Sequence, residues 1–109
     1  MAYDVRITPY AIDQIGNVIA YISKVLLVPE VAKAWADKLQ KEIAGLSEMP
    51  ERYPLFDREP WRSRGIRKMP VMNFLVYYFT DEKTKMVWVT SVLYGKRDQL
   101  KALREMPPS

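Results

Sequence analysis

The sequence contains no cysteine and no histidine. Without cysteine there is no disulfide framework and no thiol chemistry, and without histidine the commonest metal ligand and the usual acid–base group at neutral pH are missing. We therefore expect no metal site and no cofactor. No apolar run approaches the roughly 20 residues that cross a bilayer, and the N-terminus lacks the apolar stretch of a signal peptide. These absences predict a cytoplasmic protein with no membrane partner.

The positive charge of the chain is concentrated in one segment. The chain has 109 residues, of which 49% are hydrophobic and 28% charged, and this composition predicts one folded domain spanning residues 1–109. The net charge of +4 fits an anionic partner such as nucleic acid or an acidic protein. Residues 58–68 hold five basic residues against one glutamate, a local excess equal to that of the whole chain. This segment is the first candidate for a binding surface.

The first half of the chain shows two spacings of apolar residues, one typical of a strand and the other typical of helices. Apolar residues at every second position over 3–7 predict a short strand. A proline followed by apolar residues three and four apart then occurs twice, which predicts helices over about 10–26 and 29–48 that pack as an antiparallel hairpin. Residues 50–64 contain three prolines and no periodicity, which predicts a surface loop with one helical turn at most.

The second half is rich in β-branched and aromatic residues. Residues 65–79 and 86–98 are predicted to pair as antiparallel strands through a polar turn, with Pro70 splitting the first into a short edge piece (65–69) and a longer one. Asp98 is expected to cap a short helix that ends near Glu105. The predicted order is β-α-α-β-β-β-α. This is an α+β fold with a small, mostly antiparallel sheet, the helical hairpin on one face and the other face partly open.

Basic residues stand at both open ends of the predicted strand pair. Arg67 and Lys68 enter the first strand, and Lys96 and Arg97 leave the second. We expect the pairing to bring Arg67 and Arg97 together over the open face of the sheet, where a phosphate can rest. Because side chains alternate along a strand, Arg67 and Lys68 point to opposite faces unless Pro70 bends the strand.

Three segments that span nearly the whole chain carry a family resemblance. They are VRITPYA at 5–11, PERYP at 50–54, and GIRKMPV at 65–71 together with VLYGKRD at 92–98. In this order they resemble the RelE/ParE superfamily of small bacterial toxins from type II toxin–antitoxin pairs. The resemblance implies an acidic, partly disordered cognate antitoxin. The function that it implies first is metal-independent cleavage of mRNA on the ribosome, which inhibits translation. The alternatives are inhibition of DNA gyrase and an inactive relative that only binds its antitoxin.

The resemblance also assigns roles to individual residues. Arg67 matches the arginine that nucleases of the family place against the scissile phosphate, and Arg97 matches the basic residue after their last strand. Their guanidinium groups would stabilise the charge that builds when the 2′-hydroxyl attacks its own phosphate. Tyr94 stands where relatives carry histidine or tyrosine, so it is predicted to stack on a base or to transfer a proton. The structural alternatives are an ion-paired strand arginine for Arg67 and a core position for Tyr94.

The remaining basic residues are candidates for binding rather than catalysis. The predicted RNA-binding residues are Arg62, Arg64, Lys68 and Lys96, and Arg58 with Trp61 belongs to the same loop. Arginines around an aromatic ring suit a single-stranded backbone and its bases, and they suit an acidic antitoxin segment equally well. Glu59 is a further candidate for proton transfer. The last seven residues carry neither the histidine nor the aromatic residue found there in nuclease relatives, which keeps gyrase inhibition open as the alternative.

Overall fold

The computed structural model describes residues 2–96 and 99–106 of the chain. The elements are strand β1 (Asp4–Ile7), helix α1 (Pro9–Ala20), helix α2 (Pro29–Ala44), strands β2 (Arg67–Val71), β3 (Phe74–Asp81) and β4 (Met86–Tyr94), and helix α3 (Gln99–Glu105). A π-helical turn (Tyr21–Val25) follows α1, and two 3-10 turns (Gly45–Ser47 and Pro50–Arg52) follow α2. The predicted element order and the α+β class are confirmed. The predicted cap Asp98 lies outside the described residues.

The two long helices begin at the prolines that mark them in the sequence. Thr8 caps α1, since its hydroxyl accepts a hydrogen bond from the N–H of Ala11 at 3.2 Å, and Pro9 occupies the first turn. Pro29 starts α2 in the same way. The chain reverses between the helices through Leu27, whose φ is 58°. The helices then pack as a hairpin on one face of the sheet, as predicted.

The four strands form one sheet in the order β1-β4-β3-β2, with β1 parallel to β4 and the other pairs antiparallel. The predicted break at Pro70 was wrong. Pro70 lies inside β2, where an edge strand tolerates its missing N–H, and the chain turns at 72–73 instead, with a φ of 55° at Met72. Because of this turn, β2 runs back along β3 and its first residue lies far from the end of β4.

Both faces of the sheet bury apolar residues, because neighbouring residues of β3 point to opposite sides. Val76 and Tyr78 pack with Trp35, Leu39 and other residues of the helical hairpin in the first hydrophobic cluster. Tyr77 joins the second cluster, which includes three apolar residues of the 54–66 loop (Phe56, Trp61 and Ile66) and two of α3 (Ala102 and Leu103). The loop and α3 thus cover the second face over β3 and β4, whereas Asp4 and Arg6 of β1 and Pro70 of β2 remain exposed, so this face is partly open as expected.

Among the described residues, no helix combines the length and the apolar character needed to cross a membrane.

Candidate functional site

Arg67 opens β2, and its guanidinium group contacts the protein's own backbone. Its Nη1 donates to the carbonyl oxygen of Tyr53 at 2.7 Å and to that of Glu51 at 3.2 Å, while its Nη2 lies 3.7 Å from the Glu51 carboxylate. Only 20% of the Arg67 side chain is exposed. Both hydrogens of Nη1 are thus used in holding residues 50–53 against the sheet. The predicted role of Arg67 at a phosphate stays a prediction.

Two further side chains hold the same segment, and local sequence patterns did not indicate either of them. Arg52 donates to three main-chain carbonyls within residues 45–49, and so satisfies acceptors left open after α2. The hydroxyl of Tyr78 donates to the carbonyl oxygen of Pro50. Burial raises the pKa of the Tyr78 hydroxyl to about 12, with the charge of Arg67 opposing the shift. Tyr78 therefore remains a neutral hydrogen-bond donor at physiological pH.

Tyr94 ends β4 at the opposite end of the sheet from Arg67. Its ring lies edge-on to that of Phe74, with 5.6 Å between the centroids, and 43% of the residue is exposed. Tyr94 pairs with Phe74, whereas Arg67 pairs with Tyr78, four residues further along β3. This corresponds to about 13 Å along the strand. The strand pairing therefore does not bring Arg67 to the end of β4.

Gly95, directly after Tyr94, is held beside the turn between β2 and β3. The N–H of Gly95 donates to the carbonyl oxygen of Asn73 at 2.8 Å, and a Cβ at position 95 would lie 3.0 Å from the same oxygen. Lys96 follows and is exposed. Arg97 lies outside the described residues, so its predicted convergence with Arg67 and its predicted role in catalysis stay predictions.

Lys68 lies on the sheet face opposite to Arg67, as strand alternation predicts. The Lys68 Nζ is 5.7 Å from the centre of the Phe56 ring, within cation–π range, on the side covered by the loop and α3. Arg67 instead lies beside Tyr78 on the helical face. The two adjacent basic residues therefore serve different surfaces, and RNA binding by Lys68 stays a prediction.

A cleft of about 460 Å³ opens between the 58–64 loop and α3. Arg58 and Arg64 line it from the loop and Arg104 lines it from the helix, and all three are exposed. We call this site the arginine cleft. Within residues 2–96 and 99–106, none of the three arginines forms an ion pair. Arg62 is exposed on the same loop but does not line the cleft. The sequence indicated Arg64 but not Arg104, because only tertiary packing brings α3 to the loop.

Two other residues predicted to act in this loop have structural contacts. Trp61 is only 5% exposed and packs edge-on against Phe56, with 5.8 Å between the ring centroids. One carboxylate oxygen of Glu59 accepts a hydrogen bond from the N–H of Ser63 at 3.0 Å. Hydrogen bonding from Ser63 lowers the pKa of the Glu59 carboxyl below its ordinary value. Glu59 therefore stays ionised at neutral pH, and its predicted part in proton transfer stays untested.

The side chain of Gln14 in α1 reaches the sheet at an irregular position of β4, and sequence reasoning missed it. Its Oε1 accepts hydrogen bonds from the N–H of Val92 at 2.8 Å and from the Ser91 hydroxyl at 3.0 Å. The register between β3 and β4 shifts beside Tyr77. No group of three or more potential metal-ligating residues occurs in the part of the chain that the structure describes.

Comparison with known proteins places this geometry among bacterial toxins. A family model described as the ParE toxin of the type II toxin–antitoxin system parDE matches residues 5–99. No curated protein matches the chain significantly.

Several solved structures share the fold. The chromosomal ParDE system of P. aeruginosa is 14% identical, with a TM-score of 0.69, over 85% of this chain and 96% of that chain. The toxin–antitoxin complex RelBE2 of Mycobacterium tuberculosis is 20% identical, with a TM-score of 0.60, over 86% and 99% of the two chains. A mutant of the E. coli toxin RelE in the free state is 16% identical, with a TM-score of 0.61, over 94% and 93%. At these identities the similarity shows a shared fold.

Proposed function

Because the chain belongs to the RelE/ParE superfamily of type II toxin–antitoxin toxins and matches its ParE toxin model over residues 5–99, we propose that it arrests growth by binding DNA gyrase in the cytoplasm. In this proposal the toxin works as a binding inhibitor and performs no nuclease chemistry. Its exposed basic groups and its final helix, α3, supply the contacts to the enzyme or to the DNA that the enzyme holds.

The contacts of Arg67 are the observation that carries this proposal. A phosphate-binding arginine needs free and exposed donors, whereas Arg67 directs two of its five N–H groups at the carbonyl oxygens of Glu51 and Tyr53, has Nη2 3.7 Å from the Glu51 carboxylate, and is only 20% exposed. Tyr94, the predicted partner in catalysis, lies about 13 Å further along the sheet. The chain also lacks histidine, which usually transfers protons at neutral pH. These features support binding over cleavage.

Ribosome-dependent mRNA cleavage is the second candidate, and the exposed ring of Tyr94 favours it. Tyr94 lines a small cleft with Phe74 and Val18, and a base can stack on the exposed part of its ring. The fold also matches that of the RelE toxin over most of both chains. In this mechanism Arg97 and Arg67 stabilise the phosphate, and the ribosome positions the mRNA for attack by its own 2′-hydroxyl.

We further propose a cognate antitoxin as the protein partner. Two of the structural relatives belong to toxin–antitoxin systems, and one of them was solved as the complex. The chain has a net charge of +4, so an acidic antitoxin would neutralise it on binding. The reading frame beside this gene is the place to look for that partner.

Two assays with the purified full-length toxin separate the candidates. The first follows DNA supercoiling by gyrase, and the second follows mRNA integrity on purified translating ribosomes. Gyrase inhibition with intact mRNA supports the proposal, and cleaved mRNA with normal supercoiling overturns it in favour of the nuclease. If neither target is affected and expression without the antitoxin is harmless, the chain is an inactive antitoxin-binding relative.

A further inference from the structure

The arginine cleft combines unpaired positive charge with an apolar floor. Arg58 and Arg64 lie on the loop side and Arg104 lies on the α3 side, while Leu100 and Met106 contribute partly exposed apolar surface between them. Exposed arginines normally find carboxylate partners on the protein surface or remain fully hydrated. Here three of them surround one concave site, which raises the local positive potential. Such a site suits an anionic ligand that also carries apolar groups.

The surroundings of Trp61 decide between two classes of anionic ligand. Single-stranded nucleic acid binds positively charged grooves by stacking its bases on exposed aromatic rings. Trp61 is the aromatic residue in the cleft lining, and it is 5% exposed, with Phe56 against its ring. It therefore offers no platform for a base. The aliphatic surface of Leu100 and Met106 accepts apolar side chains instead, which favours a peptide over a nucleic acid.

We propose that the arginine cleft binds a peptide segment in which acidic and apolar side chains alternate, and that the antitoxin carries this segment. In an extended peptide, successive side chains point in opposite directions, so carboxylates and apolar groups can meet different walls of the cleft. The carboxylates would pair with the guanidinium groups of Arg58, Arg64 and Arg104. Naming the antitoxin as the carrier rests on the proposed function, whereas the chemistry of the cleft does not.

Glu59 also lines the cleft, and its negative charge lowers the affinity of the cleft for an anionic ligand. One of its carboxylate oxygens is held by the N–H of Ser63 within its own turn. Three arginines against this glutamate leave a net positive lining. The proposal therefore predicts that Glu59→Gln strengthens binding of the acidic peptide.

The test uses the full chain and three short synthetic peptides labelled for fluorescence anisotropy. One alternates glutamate with leucine, the second replaces glutamate by glutamine, and the third replaces leucine by serine. We expect the first to bind most tightly and its binding to weaken as salt is added, because ion pairs are screened. Arg58→Glu, Arg64→Glu and Arg104→Glu should each lower its affinity by about tenfold, a change typical of losing a charge pair in an interface.

Lys33→Glu is the matched control, because it makes the same change in net charge at an 82% exposed side chain on α2. It should change the affinity by less than about twofold, since screening weakens distant charges. Circular dichroism verifies the fold of every variant. Equal losses in the control and the cleft variants would overturn the proposal, as would tighter binding of a single-stranded oligonucleotide that competes with the peptide. The assay does not depend on gyrase or mRNA, so it separates failure of this proposal from failure of the proposed function.

Discussion

Replacing Arg67 by methionine tests whether this residue stabilises the fold or binds a ligand. Methionine keeps a stem of similar length but removes the guanidinium group. The variant would lose the two hydrogen bonds to the carbonyl oxygens of Glu51 and Tyr53, at 3.2 and 2.7 Å, and the 3.7 Å ion pair with the Glu51 carboxylate. The 50–53 segment would then be held mainly by Arg52 and Tyr78.

The expected loss follows from the burial of each contact. A hydrogen bond to a charged group typically contributes about 1.5–3 kcal/mol, and removing its donor leaves a partly buried carbonyl at Tyr53 without that partner. The carbonyl of Glu51 is exposed and regains water, and its carboxylate is 61% exposed, so those contacts add less than about 1 kcal/mol. We expect Arg67→Met to lower the free energy of unfolding by about 2–3 kcal/mol.

Urea denaturation followed by circular dichroism measures this change, with Arg6→Met as the control. Arg6 is also a strand arginine paired to a carboxylate, at 2.8 Å from Asp4, but both side chains are 58% exposed. The control should cost less than about 0.5 kcal/mol. If Arg67→Met is as stable as the control and yet abolishes toxicity, then Arg67 acts on a ligand and the structural reasoning is refuted.

Three further predictions concern the scaffold. Gly16→Ala should stabilise the protein by about 0.5–1 kcal/mol, since a Cβ in the middle of α1 meets open space. Gly65→Ala should instead cost about 1–2 kcal/mol, because the φ of Gly65 is 77°. Urea denaturation should therefore show changes in the free energy of unfolding that have opposite signs for the two variants. Burial raises the pKa of Tyr78 to about 12, so the stability that this group contributes is complete below its ordinary pKa near 10 and is lost as the pH rises towards 12. Urea midpoints across that range should fall less steeply in Tyr78→Phe than in the wild type, and an equal slope would contradict the assignment. Gln14→Leu removes the acceptor of two hydrogen bonds from β4 and should cost about 1–3 kcal/mol by the same measurement, while an unchanged midpoint would show that water replaces it.

The elements of the fold could be predicted because each has a local cause. Pro9 and Pro29 start helices, and apolar side chains three and four apart mark their buried faces. The break between β2 and β3 could not be placed in the same way. Pro70 is the stronger local signal, but an edge strand tolerates it, and Met72 adopts the left-handed turn conformation that sequence statistics disfavour for methionine.

The candidate site was harder to predict than the fold, because a small shift in the position of a turn changes which residues of neighbouring strands lie side by side. Placing the turn at 72–73 separates Arg67 from Tyr94, although each lies in the strand where it was expected. The basic segment is likewise divided among three places. Arg67 contacts the backbone of residues 51 and 53, Lys68 lies beside the Phe56 ring on the opposite side of the sheet, and Arg64 lines the cleft against α3.

The sequence by itself determined the class of the fold, the order of the elements and the excess of positive charge, since composition, periodicity and capping act within a few residues. The family followed from the resemblance of its motifs and was shown by the match over residues 5–99. Only the tertiary structure decided which charged side chains lie together and which remain exposed to a ligand. Packing of the loop and α3 over the second face buries Trp61 and brings Arg104 to Arg58 and Arg64. The main-chain carbonyls of residues 50–53 occupy the Nη1 hydrogens of Arg67. Such contacts join residues far apart in the chain, and no local pattern encodes them.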